Sequence, residues 1–236
     1  MTLIRVIDFE TTGFDASSDV IELGQCDYDV ETRQVSDPVS KLFHVDSIPP
    51  ESRAVHHIGL SDIPANAGRF DAFGCVLMPA DTMRITFFAA HNSAFECQFL
   101  GDLGNRRMIC TYKAALRVWP NAPSHSNGAL RYWLEDAGKI SLDAGKAYPT
   151  HRAGPDAYIT ANILKALFDA GATGRDMVAW AKEPSVLPRC PIGTPWRGMP
   201  WAEVDFGFLN WMANKPDMEP DHRWNAQREL DRRSAG

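Results

Sequence analysis

With 236 residues, 44% of them hydrophobic and 23% charged, the chain has the make-up of a globular protein with a real core, sized for one large domain or one domain with a small appendage. A formal net charge of −6 argues against a protein that coats nucleic acid generally. It leaves room for a nuclease, whose clustered acids are neutralised by metal and whose phosphate contacts are local. The five cysteines (Cys26, Cys75, Cys97, Cys110, Cys190) are scattered, odd in number and without Cys-x-x-Cys spacing, which speaks against both zinc and a disulfide framework.

In chain order, Leu3 to Phe9 reads as a buried strand, rich in branched residues and stopped by a Thr-Thr-Gly turn. Val20 to Val30 and Gln34 to Val45 read as two further strands, joined by a Glu-Thr-Arg turn into a hairpin at one edge of a sheet. Pro49-Pro50 ahead of Glu51 to His57 predicts a short helix begun by proline. Arg84 to Ala90 is another apolar strand, and His91-Asn92-Ser93 opens a helix running to about Leu100. Ala129 to Ala137 predicts a helix closed by Gly138, and Gly154-Pro155-Asp156 starts a last long helix with Ala157, Ala161, Leu164 and Leu167 on one face. A meander of strands followed by alternating strands and helices implies a mixed sheet with helices on its faces. Near residue 172 the composition changes. A helical piece around Asp176 to Lys182 runs into a proline-punctuated linker, Glu183 to Pro191. Five of the seven tryptophans (Trp180, Trp196, Trp201, Trp211, Trp224) lie beyond the change, so the tail is expected to fold as a small aromatic-rich module. The expected divisions are 1–171, 172–191 and 192–236. No signal peptide and no apolar run of roughly 18 residues is visible, so a cytoplasmic protein that does not enter the membrane is expected.

The chemistry begins at Asp8-Phe9-Glu10. Side chains alternate faces along a strand, so Asp8 and Glu10 point the same way, and two like charges on one face call for a cation between them. Acidic pairs of this kind are common by themselves. Two later segments add weight: Glu96 on the first turn of the helix after a buried strand, and His151 in a loop five residues before Asp156 at a helix start. The plain reading of Asp156 is a helix cap, and that of a lone histidine is a surface or satisfied core residue.

In this order, Asp8-x-Glu10 with Thr11-Thr12-Gly13, His91-Asn92-x-x-Phe95-Glu96 and His151-x-x-x-x-Asp156 resemble the three motifs of the DEDDh (DnaQ-like) family of 3′→5′ exonucleases, over about residues 3 to 170. The tail segment Pro191 to Trp201 more loosely resembles one appended to exodeoxyribonuclease X-like proteins. The resemblance implies a ribonuclease H-like α/β fold, a mixed five-stranded sheet flanked by helices. It also implies two Mg²⁺ ions per active site, replaceable by Mn²⁺, held by Asp8, Glu10, Glu96 and Asp156, with His151 as general base. Thr11, Thr12, Gly13 and Phe14 would lie where the terminal nucleotide docks, Phe14 stacking on a base, with His57 and Asn92 as further substrate contacts. The implied substrate is DNA, entering as a single-stranded 3′ end or a frayed duplex end and released as nucleoside monophosphates, in a process such as DNA repair. The same motifs fit an exoribonuclease, and a catalytically weak nucleic-acid-binding relative is the rival from another class.

The chain departs from the family at two positions. Glu96 stands where aspartate is usual, one methylene longer, which bears on the second ion. Cys110 stands before Thr111 where relatives often carry Asp-Thr. Of the remaining histidines, His56 and His57 read as surface residues on a short helix and His91 as a support for the strand end.

Overall fold

A computed structural model describes residues 2–77, 85–101 and 107–235. The first strand, β1 (Leu3–Thr11), lies at the centre of a mixed sheet. It pairs antiparallel with β2 (Val20–Asp29) and parallel with β5 (Ile85–Ala90), which in turn pairs parallel with β6 (Met108–Cys110). On the far side of β2, the strand expected over 34–45 is two short ones, β3 (Gln34–Val35) and β4 (Val39–Leu42). The break falls at Asp37-Pro38, because a proline has no N–H to give to the ladder. The five expected positions of the sheet are therefore occupied by six strands. Arg84, the expected start of the strand that is observed as β5, lies outside the described residues.

Alternation along β1 divides the core between two layers. Ile4 and Val6 face one way, into a cluster with Tyr28, Ile109, Leu130, Ile159 and Leu164. Ile7 and Phe9 face the other way, against Leu23, Phe43 and Phe88. The first layer is covered by α3 (Thr111–Val118), α4 (Asn127–Asp136), α5 (Ala153–Asp169) and α6 (Gly174–Lys182). The second carries α2 (Ala94–Leu100). Helix α1 (Pro50–His56) starts on Pro50 as its sequence predicts, since the missing N–H of a first-turn proline would have no helical partner anyway. Asp8 and Glu10 continue the even-numbered face of β1, toward α5.

Helix α6, expected at the head of the linker, packs with the main core instead. Met177 is fully buried there, and Trp180 lies against the same cluster with the Arg117 guanidinium 5.6 Å from its ring centre. Beyond it, α7 (Phe206–Asn214) and α8 (Pro220–Ser234) enclose a separate apolar cluster of Cys190, Trp201, Val204, Leu209, Met212, Met218, Ala226 and Leu230. Among the described residues, no helix is long and apolar enough to cross a membrane.

Candidate active site

Asp8 and Glu10 reach the end of β1 opposite Gly24 and Glu22 of β2. Gly24 is what lets a third acid join them. A Cβ there would run into the Ala153 carbonyl, and one on Gly154 would strike the Ser40 hydroxyl, so only hydrogen at both positions lets the start of α5 lie directly on the sheet. That close crossing carries Asp156, on the first turn of α5, to the two acids of β1. One carboxylate oxygen from each of Asp8, Glu10 and Asp156 lies within 4.8 Å of the others.

Glu96 approaches the same cleft from α2. Its side chain is buried, and among the described residues its Oε2 has no hydrogen-bond partner. The four acids share one environment. Burial pushes Asp8 well above the usual carboxylate range, helped by the charges of Asp156, Glu96 and Glu10. Burial first, then Asp156 and Glu22, raises Glu10 to about 8, and burial raises Glu96 to about 8. Asp156 rises to about 6 through burial, held back by the nearby His151. Four carboxylates held together against their own repulsion, one with an orphaned oxygen, form a hard oxygen donor set. Mg²⁺ or Mn²⁺ fits such a set, whereas soft-metal chemistry does not.

His151 is exposed in the loop before α5, with φ +56°, and its backbone N–H donates to Asp156 Oδ2 at 3.1 Å. Left-handed backbone at a non-glycine residue is uncommon. Here the next residue fixes it. Arg152 forms a two-point ion pair with Glu22 (Nε to Oε2 and Nη2 to Oε1, both 2.8 Å), and the Ala153 N–H donates to the same carboxylate at 3.0 Å. Glu22 is completely buried. Neither it nor Arg152 was a sequence candidate, although an acid inside the apolar run Val20-Ile21-Glu22-Leu23 is a readable signal that something must pair it.

Two recesses open on either side of Asp8 and Asp156. One, of about 220 Å³, is walled by Thr11, Gly13, Phe14, Val55, His56 and Phe95 beside the acids. Phe14 is 86% exposed, a flat face standing free. Thr12 is turned into the fold. Its N–H donates to the Asp19 carbonyl at 2.9 Å, its hydroxyl accepts from Asp19 N–H at 2.8 Å and its carbonyl accepts from Ser52 at 2.9 Å. His57 ends α1 in the left-handed region, φ +60°, and is exposed outside this recess, so the histidine that lines it is His56. Contrary to the surface reading, His56 is buried. Its Nδ1 accepts from Ile58 N–H at 3.0 Å, which leaves the proton of the neutral ring on Nε2, without a partner among the described residues, and burial lowers its pKa. Asn92, exposed with φ +64°, lines neither recess.

The second recess, about 380 Å³, is bounded by His91, Ser126, Asn127, Tyr132, Thr150 and His151. His91 supports the strand end as expected, bridging Thr111 Oγ1 (3.0 Å) and the His125 carbonyl (2.8 Å), and burial lowers its pKa to about 4.

No family model matches the chain, and no curated protein matches it. Among solved structures, exonuclease X in complex with 5′-overhanging duplex DNA is similar at a TM-score of 0.61 and 27% identity, over 75% of this chain and 99% of that one. Escherichia coli exonuclease I in complex with a dA16 oligonucleotide gives 0.53 and 16% over 72% of this chain and 42% of its own. Cell-death related nuclease 4 gives 0.51 and 19% over 72% of this chain and 64% of its own. The last two likenesses are of fold.

Proposed function

This chain belongs to the DEDDh, DnaQ-like family of exonucleases, and from that premise we propose that it hydrolyses DNA from 3′ ends, releasing nucleoside monophosphates with the help of divalent metal. The observation that carries this reading is the meeting of Asp8, Glu10 and Asp156 within 4.8 Å beside the loop of His151. Asp8, Glu10 and Asp156 would hold one Mg²⁺, and Asp8 with Glu96 a second, with Mn²⁺ as a substitute. Bound there, such ions supply charge for the phosphate, an activated water and stabilisation of the leaving oxygen.

The chain's own residues do the rest. The exposed ring of Phe14 offers a stacking surface to the terminal base, and the His56 Nε2–H is a donor for its sugar or phosphate. His151 takes the proton of the attacking water. The Glu22–Arg152 pair acts through His151, holding the loop so that the imidazole stays beside Asp156. Incubation of the protein with end-labelled single-stranded DNA and RNA in Mg²⁺, Mn²⁺ or EDTA tests the proposal. Mononucleotides from DNA 3′ ends, absent in EDTA, are expected; preferential cleavage of RNA would transfer the same chemistry to an exoribonuclease.

Glu96 separates an active enzyme from a weak binding relative. Glu96→Asp should keep turnover within about tenfold, because a carboxylate remains at a buried site, whereas Glu96→Ala should lose about two decades or more, the scale of lost metal support. A nearly inert parent revived by Glu96→Asp would favour the binding relative. Equal rates for parent and Glu96→Ala would remove Glu96 from the site.

The raised carboxylates also fix a pH dependence for the metal-free protein. Glu10 and Glu96, at about 8, hold protons in the fold that the unfolded chain releases in the ordinary carboxylate range. The native state therefore binds more protons across that interval, and stability falls as pH rises, until both groups are ionised above about 8. Melting in EDTA should drop by roughly 5 °C or more from weakly acidic to weakly alkaline pH, and Mg²⁺ should abolish the drop while releasing protons. A melting temperature in EDTA that rises over this range would contradict the clustered acids.

A further inference from the structure

A third cavity, about 780 Å³, lies between the main domain and the C-terminal residues. One wall is Tyr112, Leu116 and residues 120–126; the other is residues 187–191 with Arg197 and Gly198. It meets the recess beside His151 at Ser126, which lines both. In a chain of net charge −6, no aspartate or glutamate among the described residues lines this groove, and two arginines do. Arg189 and Arg197 are both exposed, and among the described residues neither forms an ion pair with an acid. Their loop is nonetheless ordered by its own backbone. Arg189 Nη1 donates to the Gly198 carbonyl at 3.0 Å, Gly198 N–H to the Cys190 carbonyl at 2.8 Å, and Arg197 N–H to the Gly193 carbonyl at 2.7 Å.

The two walls are also latched to each other. Lys113 Nζ donates to the carbonyls of Ala181 (3.2 Å) and Glu183 (2.6 Å), and Arg117 Nη2 to Glu183 Oε2 (2.9 Å) and the Pro184 carbonyl (3.2 Å). Trp201 Nε1–H then ties the module to the Leu187 carbonyl at 2.8 Å. The groove is thus preformed, which lowers the ordering cost of any ligand laid in it.

A scissile phosphate joins two nucleosides, so the acids need room on both sides. The recess of Phe14 and His56 suits the terminal nucleoside. The opposite recess offers Tyr132, 57% exposed, with the Arg131 guanidinium 4.8 Å from its ring centre, as a stacking surface for the preceding base. From there the groove leads on to two guanidiniums that have no acid partner among the described residues, which suit phosphates. We propose that this groove binds the upstream part of the single DNA strand whose 3′ end lies among the acids, with Arg189 and Arg197 holding its phosphates. The proposal rests on the exonuclease reading for the direction of the strand.

The test compares the full chain with Arg189→Ala/Arg197→Ala and with the charge-reversed Arg189→Glu/Arg197→Glu, after circular dichroism and melting have shown each to be folded. Anisotropy in EDTA measures binding of a labelled trinucleotide and of an oligo-dT about 12 long, a length within the range of single-strand sites. Turnover in Mg²⁺ is measured on both and on thymidine 5′-(4-nitrophenyl phosphate), which has no upstream strand. The parent should bind the longer strand at least about tenfold more tightly. The double alanine variant should lose that advantage and flatten the salt dependence by roughly 1.4 in log–log slope, the share of two phosphate contacts on a single strand. Its KM for the long strand should rise with kcat unchanged, and hydrolysis of the nitrophenyl ester should not move. Length-independent binding by the parent, or variants that bind the long strand as the parent does, overturns the groove. Tighter binding of an oligo-U of equal length overturns its assignment to DNA. If nothing is hydrolysed while length-dependent binding is present and is lost on charge reversal, the groove stands and the exonuclease reading falls.

Discussion

Asp8→Asn will lower turnover of single-stranded DNA at least about 10³-fold, the order seen when one member of a catalytic unit is removed. Asp8 lines both recesses, shares the cluster with Glu10 and Asp156, and carries the added repulsion of Glu96. Asparagine keeps the shape and removes the charge, so the loss reports on metal support and not on packing. The same change should stabilise the metal-free protein at alkaline pH, because one of four mutually repelling carboxylates is gone. Rate and melting temperature therefore move in opposite directions. A single-digit loss of rate, or cleavage that persists in EDTA, would sink the assignment. A variant that melts lower than the parent in EDTA would show that Asp8 is held by contacts other than those described.

Much of this site was legible because its acids sit where local rules place them. Period-two alternation put Asp8 and Glu10 on one face, and Gly154-Pro155-Asp156 announced a helix start. What could not be read was anything fixed by approach between distant segments. Glu22 was visible as an acid in an apolar strand, but its partner Arg152 lies 130 residues away. Gly24 carries no such signal in the sequence; its use becomes evident only once the Ala153 carbonyl is seen against it. His56 and His57 diverge because the helix ends between them: His56 closes α1 and is buried, while His57 turns into left-handed backbone and stays exposed, a boundary the sequence does not disclose. Helix α8 was missed because its fifteen residues are mostly polar, with Ala226 and Leu230 among the few apolar contacts. Trp180 was assigned to the tail by composition, although its helix belongs to the main core. The break at Pro38, by contrast, follows from a local signal, the missing N–H of proline within a strand pattern.

His151→Ala should lose about 10² to 10⁴-fold in kcat, the range for a positioned general base, with DNA binding largely kept. The residue is well suited to such a test because it is exposed, lines the recess of the acids and supports no core packing. Its backbone introduces a second effect. At φ +56° histidine is tolerated better than alanine, so the alanine variant could lose activity by relaxing the loop that Glu22 and Arg152 hold. His151→Asn resolves this, since asparagine also accepts left-handed backbone but cannot serve as the base. If proton transfer is the role, both variants are slow to a similar degree and free imidazole partly restores the alanine variant, entering the open recess in place of the missing ring. Near-parental turnover in His151→Asn would mean that the loop's shape carried the effect. Loss of binding with normal turnover at saturation would make His151 a substrate contact, and the proton would have to leave by another route.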